Sequence, residues 1–154
     1  MNLKLTPEVL YRVCQPCSFK NPTENLRLIN HLLTLMRHER GIGLAANQAG
    51  LDRRLFVMLI NDELYSCFNP EIISSSQDLV EYNEGCLSFP GERIMITRPK
   101  TIQVAYYNAH GKHQQAELTG LVARCFQHEL DHLNGITMHE RQENSHGQTL
   151  FMGS

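Results

Sequence analysis

No stretch of the chain approaches the roughly 18 consecutive apolar residues that a membrane-spanning helix needs, so no membrane partner is expected. The amino-terminal run MNLKLTPEVLYRVCQPC lacks the apolar core of a secretory leader, because polar and charged residues interrupt it. An excess of charge of one sign is lacking too: the net charge is -2, which gives no electrostatic reason to expect free nucleic acid as a ligand. A paired disulfide framework is missing, since the five cysteines (Cys14, Cys17, Cys67, Cys86 and Cys125) are odd in number. Reduced thiols in a cytoplasmic compartment are the simpler expectation, or in an organelle stroma or matrix for a processed form. No internal repeat, low-complexity tract or interdomain linker is visible.

What remains is the composition of one globular unit. The 154 residues are 42% hydrophobic and 19% charged, enough for one core and far from a coiled-coil or disordered balance. A single catalytic domain over residues 1–154, ending in a short polar tail, is the expected organisation.

Residues 1–21 read as an irregular arm with a short piece around Pro7 to Val13. Asn21 can then cap a helix, with Pro22 at its first position and Glu24 three residues after the cap. Leu26, Ile29, Leu33 and Met36 recur at helical spacing, with Leu32 beside them, and Gly41 marks the stop. LFVMLI (55–60) suits a buried strand. A second strand near 64–68 should end before Asn69-Pro70. Residues 79–82 and 92–97 look extended. Ile102, Val104 and Tyr106 alternate on one face before a turn at 108–111 and a returning strand at 112–118. A second helix opens near Thr119 as cap and runs to about Asn134, with Gly135 as its stop. This order predicts an α+β fold: a long first helix, antiparallel strands, and a late helix packed against the sheet.

The late helix carries QHELDH (127–132). His128 and His132 stand four apart and so one turn apart on one helical face, where two imidazoles can grip one metal ion. Glu129 follows the first histidine as in HExxH hydrolases, where it handles protons for water. A polar surface helix is the bland alternative, but Leu121 and Cys125 on the same stripe carry the histidines towards the core. Cys86, in EGCLS (84–88), is the best third ligand, its thiolate suiting zinc or ferrous iron. In GIGLAANQ (41–48) the glycines permit close approach, and Gln48 offers an amide donor.

These three segments, in this order, resemble the peptide deformylase family, from about Leu5 to Met138. The resemblance implies hydrolytic removal of the formyl group from N-terminal formylmethionine of nascent polypeptides, with release of formate. It implies one divalent metal held by Cys86, His128 and His132, ferrous iron in the native enzyme, with zinc, nickel or cobalt able to take the same ligands. Glu129 would move the proton, and Gln48 with the Leu87 backbone N–H would hold the developing oxyanion. Ile42, Tyr82, Leu121 and Cys125 would flank the methionine. Ile42, Gly43 and Gly85 would pair with the peptide backbone as an added strand, and Arg93 would reach further along it. Glu84 and Arg98 would form an ion pair that steadies the Cys86 strand. N-formylmethionyl peptides on ribosome-borne nascent chains are the implied partners.

Two departures accompany the resemblance. Position 47 is Asn, where many members have proline. The tail after His132 is shorter than in many bacterial members, which end in a long carboxy-terminal helix used for ribosome docking, so the departure bears on the mode of ribosome association, with or without stable docking, and not on catalysis. A metallopeptidase cutting internal bonds shares HExxH, but the cysteine ligand speaks against it. A non-catalytic relative that only binds peptide or metal is the other reading, opposed by Glu129 and Gln48. Cys14-Gln-Pro-Cys17 lacks the βαβ surroundings of a redox motif and the second CxxC of a zinc site.

Overall fold

The computed structural model describes residues 10–148. Of the piece expected at Pro7 to Val13, residues 7–9 lie outside the described ones, and from Leu10 to Asn21 the chain forms turns without helix or strand, so no such element is seen at 10–13. Helix α1 spans Pro22–His38 and opens as expected, the Asn21 side chain accepting the Glu24 N–H. Its buried stripe holds Leu28, Ile29, Leu32, Leu33 and Met36, whereas Leu26 faces outward. The helix stops before Gly41 as expected, after a basic last turn, but glycine is not its left-handed residue. Arg40, not Gly41, takes the left-handed turn at φ 61, with Gly41 N–H on Met36 O and Arg40 N–H on Arg37 O. Gly41 is needed for space instead: a Cβ there would lie 2.5 Å from the Leu87 Cδ1 atom.

Next come β1 (Gly43–Ala45), a 3-10 turn (Ala46–Ala49), β2 (Leu55–Ile60), β3 (Glu63–Ser75), β4 (Leu79–Cys86) and β5 (Phe89–Pro99). Strands β6 (Thr101–Tyr107) and β7 (His113–Thr119) lead to α2 (Gly120–Leu133) and α3 (Met138–Gln148). The five-stranded antiparallel sheet has the order β1-β2-β3-β6-β7, and β4 pairs with β5 as a separate ribbon. The apolar run of β2 is explained by burial on both faces. Phe56, Met58 and Ile60 join the cluster under α2, with the Phe56 and Phe126 rings edge to face at 5.0 Å. Leu55 and Val57 join the opposite cluster under α1.

Strand β3 does not end before Asn69-Pro70 but passes through it. The register jumps from Phe68↔Tyr107 to Glu71↔Ala105, so β3 carries one extra residue, and proline's missing N–H falls inside that bulge. Asn69 clamps the amino-terminal arm, accepting Cys17 N–H and donating to Cys17 O. Thr119 flanks α2 but its side chain caps nothing. Its hydroxyl bonds Thr101 and Lys100 O across the strands instead. Gly135 ends α2 as expected, at φ 75. Beyond it, where the sequence suggested no element, α3 packs on β5, with Gln142 donating to Met95 O and Arg141 reaching back to Asp131.

Candidate active site

His128 and His132 project from α2 with their Nε2 atoms 3.3 Å apart, and Cys86 Sγ lies 3.3 Å from His132 Nε2. One ligand atom from each residue falls within 4.8 Å of the other two. Cys86 reaches this point because β4 breaks register between Gly85 and Cys86, a bulge that re-aims the last side chain of the strand.

The donor set suits a metal ion. Sulfur with two imidazole nitrogens is the chemistry of zinc or ferrous iron sites that keep a position open. The electrostatics agree. Burial disfavours charge on His128, yet contacts with Cys86 and Glu84 outweigh it and lift its pKa to about 10. Burial and the neighbouring His128 push His132 well below its usual range, which leaves it a neutral ring with a free lone pair.

Behind the histidines stands a buried charge network. Glu84 accepts from His128 Nδ1 at 2.8 Å, from Arg98 Nε at 2.6 Å, and from Arg124. Arg98 also donates to Asp131 at 2.8 Å. Burial raises the Glu84 carboxyl, but hydrogen bonds from His128 and Arg98 outweigh it and hold the group well below the usual carboxylate range. The Glu84–Arg98 pair was legible in the sequence; its reach to His128, and the parts of Arg124 and Asp131, were not. Arg124 sits one turn before His128 on the same stripe. A charge on that inward stripe was the available signal.

Glu129 is buried beside the ligands, and its Oε1 has no hydrogen-bond partner. Burial raises its pKa to about 7, so the carboxyl is poised to take up and release a proton near neutral pH. Gly43 makes room for it: a Cβ there would lie 2.7 Å from both Glu129 Oε2 and Cys125 Sγ. The Gln48 amide is oriented by Ala45 N–H, which donates to its Oε1 at 2.9 Å. Its Nε2 is thereby turned towards Cys86 Sγ at 3.6 Å and Ser88 Oγ at 3.1 Å, the latter a partner the sequence did not announce.

A cavity of about 600 Å³ opens in front of these groups. Ile42, Gly43, Tyr82, Gly85, Arg93 and Cys125 line it, together with Leu87 and Gln48. Leu121 does not; it is 45% exposed and stands away from the wall. Phe89 and Arg40 are wall residues that sequence reasoning missed. Arg93 lies over Gly85 and donates to Asn83 O. Strand β1 is the outermost strand of its sheet, and β4 belongs to a two-stranded ribbon, so each has an unpaired edge.

An α+β fold with an HExxH helix, a cysteine at a strand end and a buried carboxyl beside them defines a metal-dependent hydrolase. The family profile for polypeptide deformylase matches residues 3–148. The peptide deformylase of Natranaerobius thermophilus is 43% identical over 118 residues, 76% of each chain. That of Thermotoga maritima is 43% identical over 119 residues, 77% of this chain and 73% of the relative. The crystal structure of the Thermotoga maritima peptide deformylase superposes with a TM-score of 0.85 at 38% identity, covering 91% of this chain and 95% of that one. The chain belongs to the polypeptide deformylase family. It is a metal-dependent hydrolase that removes the formyl group from the N-terminus of nascent polypeptides.

Proposed function

We propose that Cys86, His128 and His132 hold one divalent cation, ferrous iron in the native protein, and that Glu129, Gln48 and Leu87 carry out formyl hydrolysis beside it. Convergence of the sulfur and two Nε2 atoms within 4.8 Å, next to a buried unpartnered carboxyl, carries this reading. Bound there, the cation supplies Lewis acidity, which makes water a nucleophile at neutral pH and polarises the formyl carbonyl. Glu129 takes the proton of the attacking water and returns it to the departing amine as the C–N bond breaks. The Gln48 Nε2–H and the Leu87 main-chain N–H donate to the oxygen on which charge builds. Loss of one such donor costs about 3 kcal/mol in other hydrolases.

The free edges of β1 and β4 receive the peptide as an added strand, through Ile42, Gly43 and Gly85. Ile42, Tyr82 and Cys125 flank the methionine, and Arg93 extends the contact along the chain. The formyl carbon carries only a hydrogen, so a tight pocket around it excludes acetyl by steric clash. The substrate is the formylmethionyl end of a ribosome-borne nascent chain, in the cytoplasm or in an organelle's stroma or matrix. One catalytic domain does all of this. Among the described residues no helix is long and apolar enough to cross a membrane.

A turnover assay separates this from endopeptidase action. Formate release from formyl-Met peptides, with no cleavage of blocked internal bonds, is the expected result; the opposite pattern refutes it.

A further inference from the structure

The two imidazoles of the site are supported unequally. His128 has the Glu84 carboxylate at its Nδ1. His132 turns Nε2 towards Cys86 and His128 and leaves its own Nδ1 buried without a hydrogen-bond partner. A neutral imidazole that offers its Nε2 lone pair carries its proton on Nδ1, so this orphan is a donor. Histidine ligands as a rule hand that proton to an outer acceptor, which fixes tautomer and ring orientation.

An acceptor in the same condition is tied to the same residue. Asn47 is wholly buried in the 3-10 turn, and its Oδ1 has no partner. Its Nδ2–H donates to the main-chain carbonyl of His132 at 2.5 Å. The amide that carries the orphan oxygen is thus bonded to the residue that carries the orphan nitrogen. The other orphaned oxygen near the site, Glu129 Oε1, belongs to a residue of the cavity wall, and His132 is not part of that wall.

We propose that Asn47 is a positioning residue for the metal ligand His132, its Oδ1 receiving the Nδ1 proton through one buried water. Such a water accepts from the ring N–H and donates to the amide oxygen, satisfying two groups that the fold has otherwise dried out. The ring is thereby held with Nε2 facing the ion. The last turn of α2 is also fastened to the turn that carries Gln48, so the ligand and the oxyanion donor keep a fixed separation. The proposal rests on the reading of His132 as a ligand.

Zinc-loaded protein labelled with ¹⁵N at histidine tests it. The His132 Nδ1 proton is expected as a resonance protected from solvent exchange. Asn47→Leu should abolish it and weaken zinc binding, read by chelator competition, by about tenfold, the lower end of what outer partners contribute. The urea midpoint of the metal-free variant should fall by no more than a lost buried hydrogen bond accounts for, because leucine leaves the His132 Nδ1 proton without its acceptor and takes away the amide bond to His132 O. A lower midpoint with unchanged zinc affinity would mean a plain structural tether and overturns the proposal. So does a wild-type ring bound through Nδ1, or a ring proton that exchanges freely. The wild-type resonance decides the matter alone if the variant does not fold. One zinc bound per chain at undiminished affinity in the variant would remove this proposal and leave the catalytic reading standing.

Discussion

At the scale of single residues, the account makes Glu129 a chemical group and not a ligand. Glu129→Ala should therefore keep the metal and lose most turnover, on the order of 10²–10⁴-fold for a positioned acid–base group. Metal content measured beside formate release checks both halves, and unchanged turnover refutes the role. Burial lifts this carboxyl to about 7, so below that pH the folded protein holds the proton that the base must be free to accept. Turnover is accordingly expected to fall on the acid side, read from the pH profile of formate release by the wild-type protein. Gly43 offers a subtler test. A methyl group there would lie 2.7 Å from Glu129 Oε2 and Cys125 Sγ, so Gly43→Ala must push the base or the thiol aside. Lower kcat with metal content retained is the expected outcome. The glycine was legible as a position of close approach; what approaches it came only from the fold, because Cys125 and Glu129 lie some eighty residues further on.

At the scale of elements, α2 is held by charges that the sequence shows only singly. Glu84 on β4 meets Arg98 on β5 and both Arg124 and His128 on α2, so one carboxylate joins the ribbon to the ligand helix. Removing it leaves the buried Arg124 without a carboxylate and Arg98 with Asp131 alone. Glu84→Gln should cost about 3–5 kcal/mol of stability, measured by urea unfolding, because breaking a buried pair strands the other charge. The pH dependence follows from the same group. Its folded pKa lies below the ordinary value of 4.5, so its contribution is complete above about 4.5 and drains away as pH falls towards the folded value. Wild-type stability should drop more steeply than that of Glu84→Gln across this acid range. Element positions were largely readable: the amino-terminal cap of α1, the doubly buried run of β2 and the glycine stop of α2 all rest on local chemistry. The extension of β3 through Asn69-Pro70 was not, since a tertiary contact, the Asn69 clamp on Cys17, stabilises the bulge. Helix α3 was missed for a similar reason. Its residues are polar and show no apolar stripe, and it is held by Arg141 on Asp131 and by the pairing of His139 with Glu92.

At the scale of the whole molecule, the sheet and its two flanking helices bring three distant segments to one point. The motifs announced which residues would meet; the Cys86 bulge, the Gln48 orientation and the Asn47 contact to His132 depend on packing between segments and left no local trace. All five cysteines are free, four of them buried and apart from the ligand set. Stability measured by urea should therefore not change on adding a thiol reductant to metal-loaded protein. The most direct test of the central claim is a titration of ferrous iron, without oxygen, into chelator-stripped protein, with bound metal and formate release from a formyl-Met peptide followed together. The account predicts that turnover rises in proportion to bound iron and saturates at one ion per chain, with the rise much reduced in Cys86→Ser. Full turnover by the stripped protein, or saturation with no relation to bound metal, would contradict it.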